Sequence, residues 1–380
     1  MIKIISLFFI TLTPILLWGE SSSSVNCTGT ACNLLPSAYK TQINELPSQF
    51  QSQYMDKVLA NMNESSAAAN SVSGLMGMGT VNTIQFGGGL SASGSQNEGI
   101  DVKYRDFSFK NLPNVGFGFS PTAMLGVNLG WILGQGPRDA DEVGNRSLLH
   151  RINIYANGFS FKTTTADMKA GVPDSFNYTG KIAISQMGFG IRIDLVQPGE
   201  GIFLRFLGVN AGGAIRRQNF AFELDDTKSS SAKFSLGSLS GNWNSQTHFE
   251  YSSKAYSVPI DFRTGFQILR MISIFGGLGV SRSVGESSME ISRSGPVRFS
   301  VDPGLTATLS AASNTTSVVT AADKAAGNLE LMLNSSVKKN FSQSYALLGV
   351  EIDIWKLKLL TEAYLMENVK SVSVGVKLDF

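Results

Sequence analysis

Tyr256-Ser-Val-Pro-Ile-Asp-Phe-Arg-Thr-Gly-Phe-Gln-Ile268 alternates in character at every step. Its even positions are Tyr256, Val258, Ile260, Phe262, Thr264, Phe266 and Ile268, and its odd positions are Ser257, Pro259, Asp261, Arg263, Gly265 and Gln267. Successive side chains of a β-strand point to opposite faces, so the stretch reads as one strand with an apolar face and a small or polar one. It is long. A globular strand usually has about five or six residues, whereas a strand tilted across a bilayer needs about 9 to 11.

The pattern recurs. Met187, Phe189, Ile191, Ile193 and Leu195 alternate with Gly188, Gly190, Arg192 and Asp194; Val372, Val374, Val376, Leu378 and Phe380 alternate with Ser371, Ser373, Gly375, Lys377 and Asp379. A soluble sandwich would turn such apolar faces onto a second sheet, and a membrane barrel would turn them to lipid. Composition suits the second arrangement. Of 380 residues 16% are charged and 39 are Gly, against about 25% charged and about 7% Gly in an average soluble domain. The formal net charge of +2, from 31 basic and 29 acidic residues, produces no long-range field, so no nucleic-acid partner is expected. After Gly19 no stretch approaches 18 uninterrupted apolar residues, which excludes a helical membrane protein.

Strands are expected at 81–93, 101–109, 115–133, 150–162, 181–196, 202–222, 256–268, 272–281, 342–354, 357–366 and 369–380. A glycine bulge at Gly158 is expected where the phase changes between Ile154 and Phe159. The connections at 197–201, 269–271 and 355–356 are tight; 163–180, 223–255 and 282–341 are long, polar and rich in Ser, Thr, Ala and Asn, and read as external loops. A single-chain bacterial barrel has an even strand number. The expectation is therefore an all-β, transmembrane, antiparallel up-and-down barrel over 80–380, of about 12 strands with 10 to 14 admitted.

The last strand, Ser373-Val-Gly375-Val-Lys-Leu378-Asp-Phe380, resembles the terminal signature of Gram-negative outer-membrane β-barrels: a polar residue, a glycine, a hydrophobic residue and a final aromatic. The resemblance implies that Ser373, Gly375, Leu378 and Phe380 form the strand read by the barrel assembly machinery, with outer-membrane lipid as the protein's surroundings. A free apolar edge ending on Phe invites pairing with other chains, and closure of a barrel removes that edge.

At the other end, Met1 to Gly19 reads as a secretory signal, with Lys3 before the apolar run Ile4 to Leu17 and small Gly19 before Glu20. A retained anchor is the alternative. Cys27 and Cys32 either close a small disulfide loop in an oxidising compartment or leave Cys27 as a lipidation site. The segment 20–79 carries a helix: Pro47 suits a first turn, Phe50, Tyr54, Val58, Leu59 and Met62 recur on one face, Ala67 to Ala69 extend it, and Gly74, Gly77 and Gly79 end it. Such a helix serves as a lumen plug or as a cap on the periplasmic mouth.

Signals for catalysis are weak. Gly87-Gly88-Gly89-Leu-Ser-Ala-Ser-Gly94 lacks the Lys and helix of a phosphate loop and suits close strand packing. Asp139-Ala-Asp141-Glu142-Val-Gly144 departs from a calcium loop at Val143 and at His150. His150 and His248, the two histidines, stand in no motif. No enzyme activity, cofactor, catalytic residue or metal ligand is expected. On the polar faces, Arg192, Asp194, Asp261 and Arg263 are candidate lumen charges, which pair if the lumen is closed and line a water path if it is open.

The whole layout resembles outer-membrane surface proteins of spirochaetes, in particular a family of leptospiral surface adhesins. That resemblance implies a surface-exposed protein whose loops bind host extracellular-matrix components, such as laminin and fibronectin, or plasminogen. Two other readings remain: a passive pore or hydrophobic-solute channel with residues 36–78 as plug, and a soluble periplasmic β protein.

Overall fold

In a computed structural model, the protein is described over residues 22–33, 37–104, 107–136, 147–165, 178–199, 201, 203–226, 228–236, 239–301 and 326–380. The secretory signal, the acidic stretch Asp139 to Gly144, residues 166–177 of the expected loop 163–180 and residues 302–325 of the expected loop 282–341 lie outside the described residues.

Twelve strands form one antiparallel sheet, and ten of them close on themselves. In chain order the ring is β2 (Ile84–Gln96), β5 (Val115–Asn128), β6 (Ile152–Thr164), β7 (Tyr178–Val196), β8 (Leu204–Asp226), β10 (Leu239–Ile268), β11 (Ile272–Val301), β12 (Ala326–Ile354), β13 (Leu357–Met366) and β14 (Lys370–Asp379), with β14 returning to β2. Each strand pairs with its sequence neighbour in the ring, which is the up-and-down barrel expected from the alternation. The other two strands, β1 (Ser22–Gly29) and β9 (Ser230–Leu236), pair with β12 and β10. The expected strand at 101–109 is instead the hairpin β3 (Ile100–Tyr104) and β4 (Phe107–Leu112), off the ring.

The two faces of the wall invert the rule for a soluble domain. Phe262 is 53% exposed and Leu278 68% exposed on the outer face, whereas Arg192 is 1% and Arg263 4% exposed on the inner one. Tyr256, Val258, Ile260, Phe266, Ile274, Val350, Val374 and Leu378 join the outer belt. From Tyr256 to Ile268 the belt stands about 30 Å tall, taking a rise of about 3.3 Å per residue and a tilt of about 40°, which covers a bilayer's apolar band of about 25 Å.

Several expected features differ. β8, β10, β11 and β12 run through much of the expected loops 223–255 and 282–341 as regular strand. Beyond Tyr256, β10 continues up to Leu239, roughly another 40 Å at the same rise and tilt. In this upper wall Lys254, Glu286 and Lys338 stand in register on the outer face. Water replaces lipid there, so the outer face becomes polar and the apolar residues change to the inner face, where Trp243, Tyr251, Met289 and Leu333 are buried. The upper edges are covered by β9, which pairs β10 where β8 has ended, and by β1, which pairs β12 beyond the top of β13. Short edge strands limit edge-to-edge pairing with other chains. β6 pairs with β7 in unbroken register, so Gly158 makes no bulge; Phe159 and Phe161 share the inward parity of Tyr155 and Thr163. Within the ring, register shifts lie instead at Asp194/Val196 and Thr264/Phe266, on either side of β8 near Gly208, whose φ of +83° suits a glycine.

The connections 197–203, 269–271 and 355–356 lie at one end of the barrel, as do Ile84 and Phe380. The longer 129–151 connection, with the short helix α4 (Leu129–Ile132), also lies there. Short turns are periplasmic and long connections external in bacterial outer-membrane barrels, which orients the tall wall outward.

The N-terminal segment then enters from outside. After the single turn α1 (Thr30–Asn33), the helix α2 (Ser37–Phe50) starts ten residues before Pro47, which lies in its interior and not in a first turn. A π-type turn at Gln51–Met55 leads into α3 (Asp56–Val72). Met55 and Leu59 are buried against Tyr251, Met289 and Leu333 on the inner face of the tall wall, with Phe50, Tyr54 and Met62 packed alongside. The chain then descends through the lumen and reaches β2 at the short-turn end. The segment therefore fills the barrel and does not cap the periplasmic mouth.

Candidate functional site

The lumen is where this chain concentrates its polar chemistry. α3 narrows as it descends: Ala67, Ala68, Ala69, Asn70 and Ser71 are buried between the walls. Glycines on the inner face of β5 make that fit possible. A Cβ on Gly116 would lie 2.3 Å from the Asn61 carbonyl oxygen, and one on Gly118 2.2 Å from that of Ser65. The Gly116-Phe-Gly118-Phe alternation is thus a lipid-facing aromatic row backed by a helix bed. Gly89, in the glycine-rich stretch of β2, does the same for Leu75, whose side chain would be 2.6 Å from a Cβ there.

Hydrogen bonds reach the plug from many strands. Asn63 donates to the Gly285 carbonyl at 3.0 Å, Ser66 and Ser253 share a hydroxyl bond of 2.9 Å, and Asn70 donates to Ser257 at 3.0 Å. Below the helix, Asn210 donates to the Met78 carbonyl at 2.6 Å, Tyr155 to the Gly79 carbonyl at 2.7 Å and Arg263 to the Gly77 carbonyl at 2.6 Å. Backbone groups of an irregular segment buried without water need such partners.

Three of the four candidate lumen charges meet. Arg192 bonds Asp261 Oδ1 at 2.7 Å and Arg263 bonds Asp261 Oδ2 at 3.0 Å, so two guanidiniums share one carboxylate. Arg192 also donates to Asn210 Oδ1 at 2.5 Å. Asp194, also buried, stands opposite Asn210 in the β7–β8 register, one inward position from Arg192. Sequence reasoning missed Glu362, fully buried, which pairs with Arg263 and accepts from the Tyr364 hydroxyl at 2.9 Å. A second group lies nearer the periplasmic end, where Glu351, which the sequence placed on a polar face, pairs with Lys377, and Lys358 pairs with Asp379 at 3.0 Å and Glu351 at 3.8 Å. Arg263 and Glu362 stand 99 residues apart, and only their inward parity was open to inspection.

The terminal signature closes the ring. Ser373 shares a hydroxyl bond of 2.7 Å with Ser91 of β2 and donates to the Val72 carbonyl of the plug at 3.3 Å. Gly375 lies against Leu75. Leu378 and Phe380 face outward, and the Phe380 amide donates to the Ile84 carbonyl at 2.9 Å. Cys27 and Cys32 are joined in a disulfide with their Cα atoms 5.6 Å apart, on the outer side with β1.

Outside the lumen, the upper wall brings His248 Nδ1 to Asp225 Oδ1 at 2.6 Å, and the nearby Glu223 is held by Lys181 at 2.9 Å. The Asp225 carboxylate raises the His248 pKa above its usual 6.5. Among the described residues, Glu223, Asp225 and His248 have ligand atoms within 4.8 Å of one another, a proximity that spacing in sequence did not reveal. His150 sits on the periplasmic side, beside Gly130.

A family model described as Lsa36-like matches residues 21–380. No curated protein matches the chain. Among solved structures, the translocator domain of autotransporter NalP from Neisseria meningitidis is 9% identical over 78% of this chain and 88% of its own, with a TM-score of 0.27. The attachment invasion locus protein Ail of Yersinia pestis is 10% identical over 78% and 96%, at 0.24. The outer membrane protease OmpT from Escherichia coli is 11% identical over 78% and 96%, at 0.34.

Proposed function

The chain belongs to the Lsa36-like family and is an outer-membrane β-barrel surface protein, and on that premise we propose that its external wall is an adhesin-like docking face for host extracellular-matrix components or plasminogen. One observation carries this reading. β8, β10, β11 and β12 continue far above the lipid belt, braced from inside by α2 and α3, while the lumen beneath them is filled. A rigid raised platform is where recognition is usually placed. The reading assigns binding and no reaction to the protein. It also takes outer-membrane lipid around the belt, and the barrel assembly machinery at the last strand, as its other partners.

The pore reading fares less well. The segment from α3 to Val81 occupies the path, and solute passage would require it to leave. The test uses the purified full-length protein over immobilised laminin, fibronectin and plasminogen. Ser294 and Glu330 face each other across β11 and β12, so replacing 295–329 by a two-residue turn shortens the wall in register. Loss of binding with heat-modifiable gel mobility intact is expected. Undiminished binding would refute the proposal.

A further inference from the structure

Between plug and wall, beside the turn that follows α3, lies a cavity of about 10 Å³. Its polar lining is Arg192, Arg216, Arg263, Asp261, Tyr345 and Tyr364, with Gly74 of the plug on the opposite side. Three guanidiniums and one carboxylate line this space. Arg192 and Arg263 both spend their charge on Asp261, and Arg263 is also paired with Glu362. Counting the lining guanidiniums and the carboxylates they pair with gives three positive charges against two negative ones; the buried Asp194, one inward position from Arg192, lies outside the lining.

The surplus falls on Arg216. It is 4% exposed, and the one hydrogen bond of its guanidinium among the described residues runs from Nη1 to the Ser71 carbonyl of the plug. Its Nε has no partner, and neither has the Nε of Arg192. A guanidinium cannot escape by losing its proton, and a buried charge without a counter-charge is strongly destabilising. Gly74 fixes where that charge sits, since a Cβ there would lie 1.9 Å from Arg216 Nη2.

We propose that the cavity is a binding site for one monovalent anion of halide size, held by the unspent donors of Arg216 and Arg192. A space of roughly 10–15 Å³ accommodates a single small sphere, which excludes sulfate and phosphate. A water molecule would accept the same hydrogen bonds but leave the charge uncompensated. The bound anion joins Arg216, and through it the Ser71 carbonyl, to Arg192 on the wall, so its occupancy secures the plug.

The experiment measures the thermal midpoint of the heat-modifiable band of the full-length protein, in detergent, in sodium chloride or bromide against sodium gluconate at equal ionic strength. A ligand that binds only the folded state raises the midpoint, so a halide-specific rise that saturates with concentration is expected. Arg216→Gln keeps a donor for Ser71 but removes the charge, and should abolish the rise; Arg217→Gln, on the outer face, should retain it. Equal midpoints in the two salts, or a rise that survives Arg216→Gln, would overturn the proposal. If Arg216→Gln does not fold, bromide anomalous scattering from crystals of the unaltered protein decides: a peak in the cavity supports the site, and a water there rules it out.

Discussion

The ring of Phe380 meets the ring of Phe86 edge to face, with centroids 6.2 Å apart. The pair lies on the lipid side of the seam where the chain's last strand joins its first barrel strand, and Lys356 Nζ sits 4.9 Å above the Phe380 ring. An edge-to-face pair adds about 0.5–1.5 kcal/mol beyond its burial. Phe380→Ala should therefore lower the yield of heat-modifiable protein on refolding into lipid vesicles, with a stability loss of at least about 1 kcal/mol in urea titration. Phe380→Tyr should restore most of it.

Gly118 is the position where wall and helix backbone nearly touch. Gly118→Leu cannot coexist with α3 in its place, whereas the barrel strands alone can bear it. The expected variant still shows heat-modifiable mobility but exposes 56–82 to added protease and conducts in planar bilayers. A protected, silent variant would mean the helix bed is not as described.

Asp261 neutralises two buried guanidiniums. Removing one partner of a buried pair typically costs about 3–5 kcal/mol, and Asp261→Asn should cost at least that much in urea unfolding from vesicles. Asp225→Asn, on the water-exposed upper wall, should cost little, since exposed pairs contribute about 0–1 kcal/mol.

His248 supplies a pH dependence with a definite sign. Its folded-state pKa is raised, first by the hydrogen bond to Asp225, above the ordinary 6.5. The stabilisation is thus fully present below about pH 6.5 and fades as pH rises through the higher folded value. An NMR titration of the imidazole should place its midpoint above 6.5, and Asp225→Asn should return it toward that figure. A midpoint unaffected by Asp225→Asn would contradict the pairing.

The direction of the plug predicts on which side of the membrane β1 lies. β1 pairs with the upper part of β12, so an epitope tag placed before Ser22 should bind antibody on intact cells, with no permeabilisation. A tag reached only after the outer membrane is opened would reverse the barrel's assigned orientation.

What the sequence made legible followed from contrast between two faces. Tyr256 to Ile268 and Val372 to Phe380 alternate because lipid lies on one side and a polar lumen on the other. The same strand β10 escaped notice from Leu239 to Ala255, where water replaces lipid, the outer face turns polar and the apolar residues Trp243, Phe249 and Tyr251 move to the inner face, reversing the phase. The helix face Phe50, Tyr54, Leu59 and Met62 was readable because its bed is apolar. The burial of Ser65 to Ser71 was not, because small residues packed against Gly118, Ser253 and Ser257 look like a solvated helix end. Pro47 misled for a local reason: its preference for a first turn is weaker than the packing that continues α2 across it. The charge network was half legible, since Arg192, Asp261 and Arg263 share inward parity, but Glu362 enters only through the pairing of distant strands.

The central claim is that the apolar face meets hydrocarbon while the charged face is enclosed. With Cys27 and Cys32 replaced by Ser, single nitroxide labels placed in turn at 371 to 378 in vesicle-inserted protein report this by spin-label relaxation. The account predicts a period of two: labels at 372, 374, 376 and 378 relaxed by lipid-dissolved oxygen, and labels at 371, 373, 375 and 377 shielded from both oxygen and a water-soluble nickel complex. Shielding of 372, 374, 376 and 378 from oxygen, with water access at the intervening positions, would contradict it.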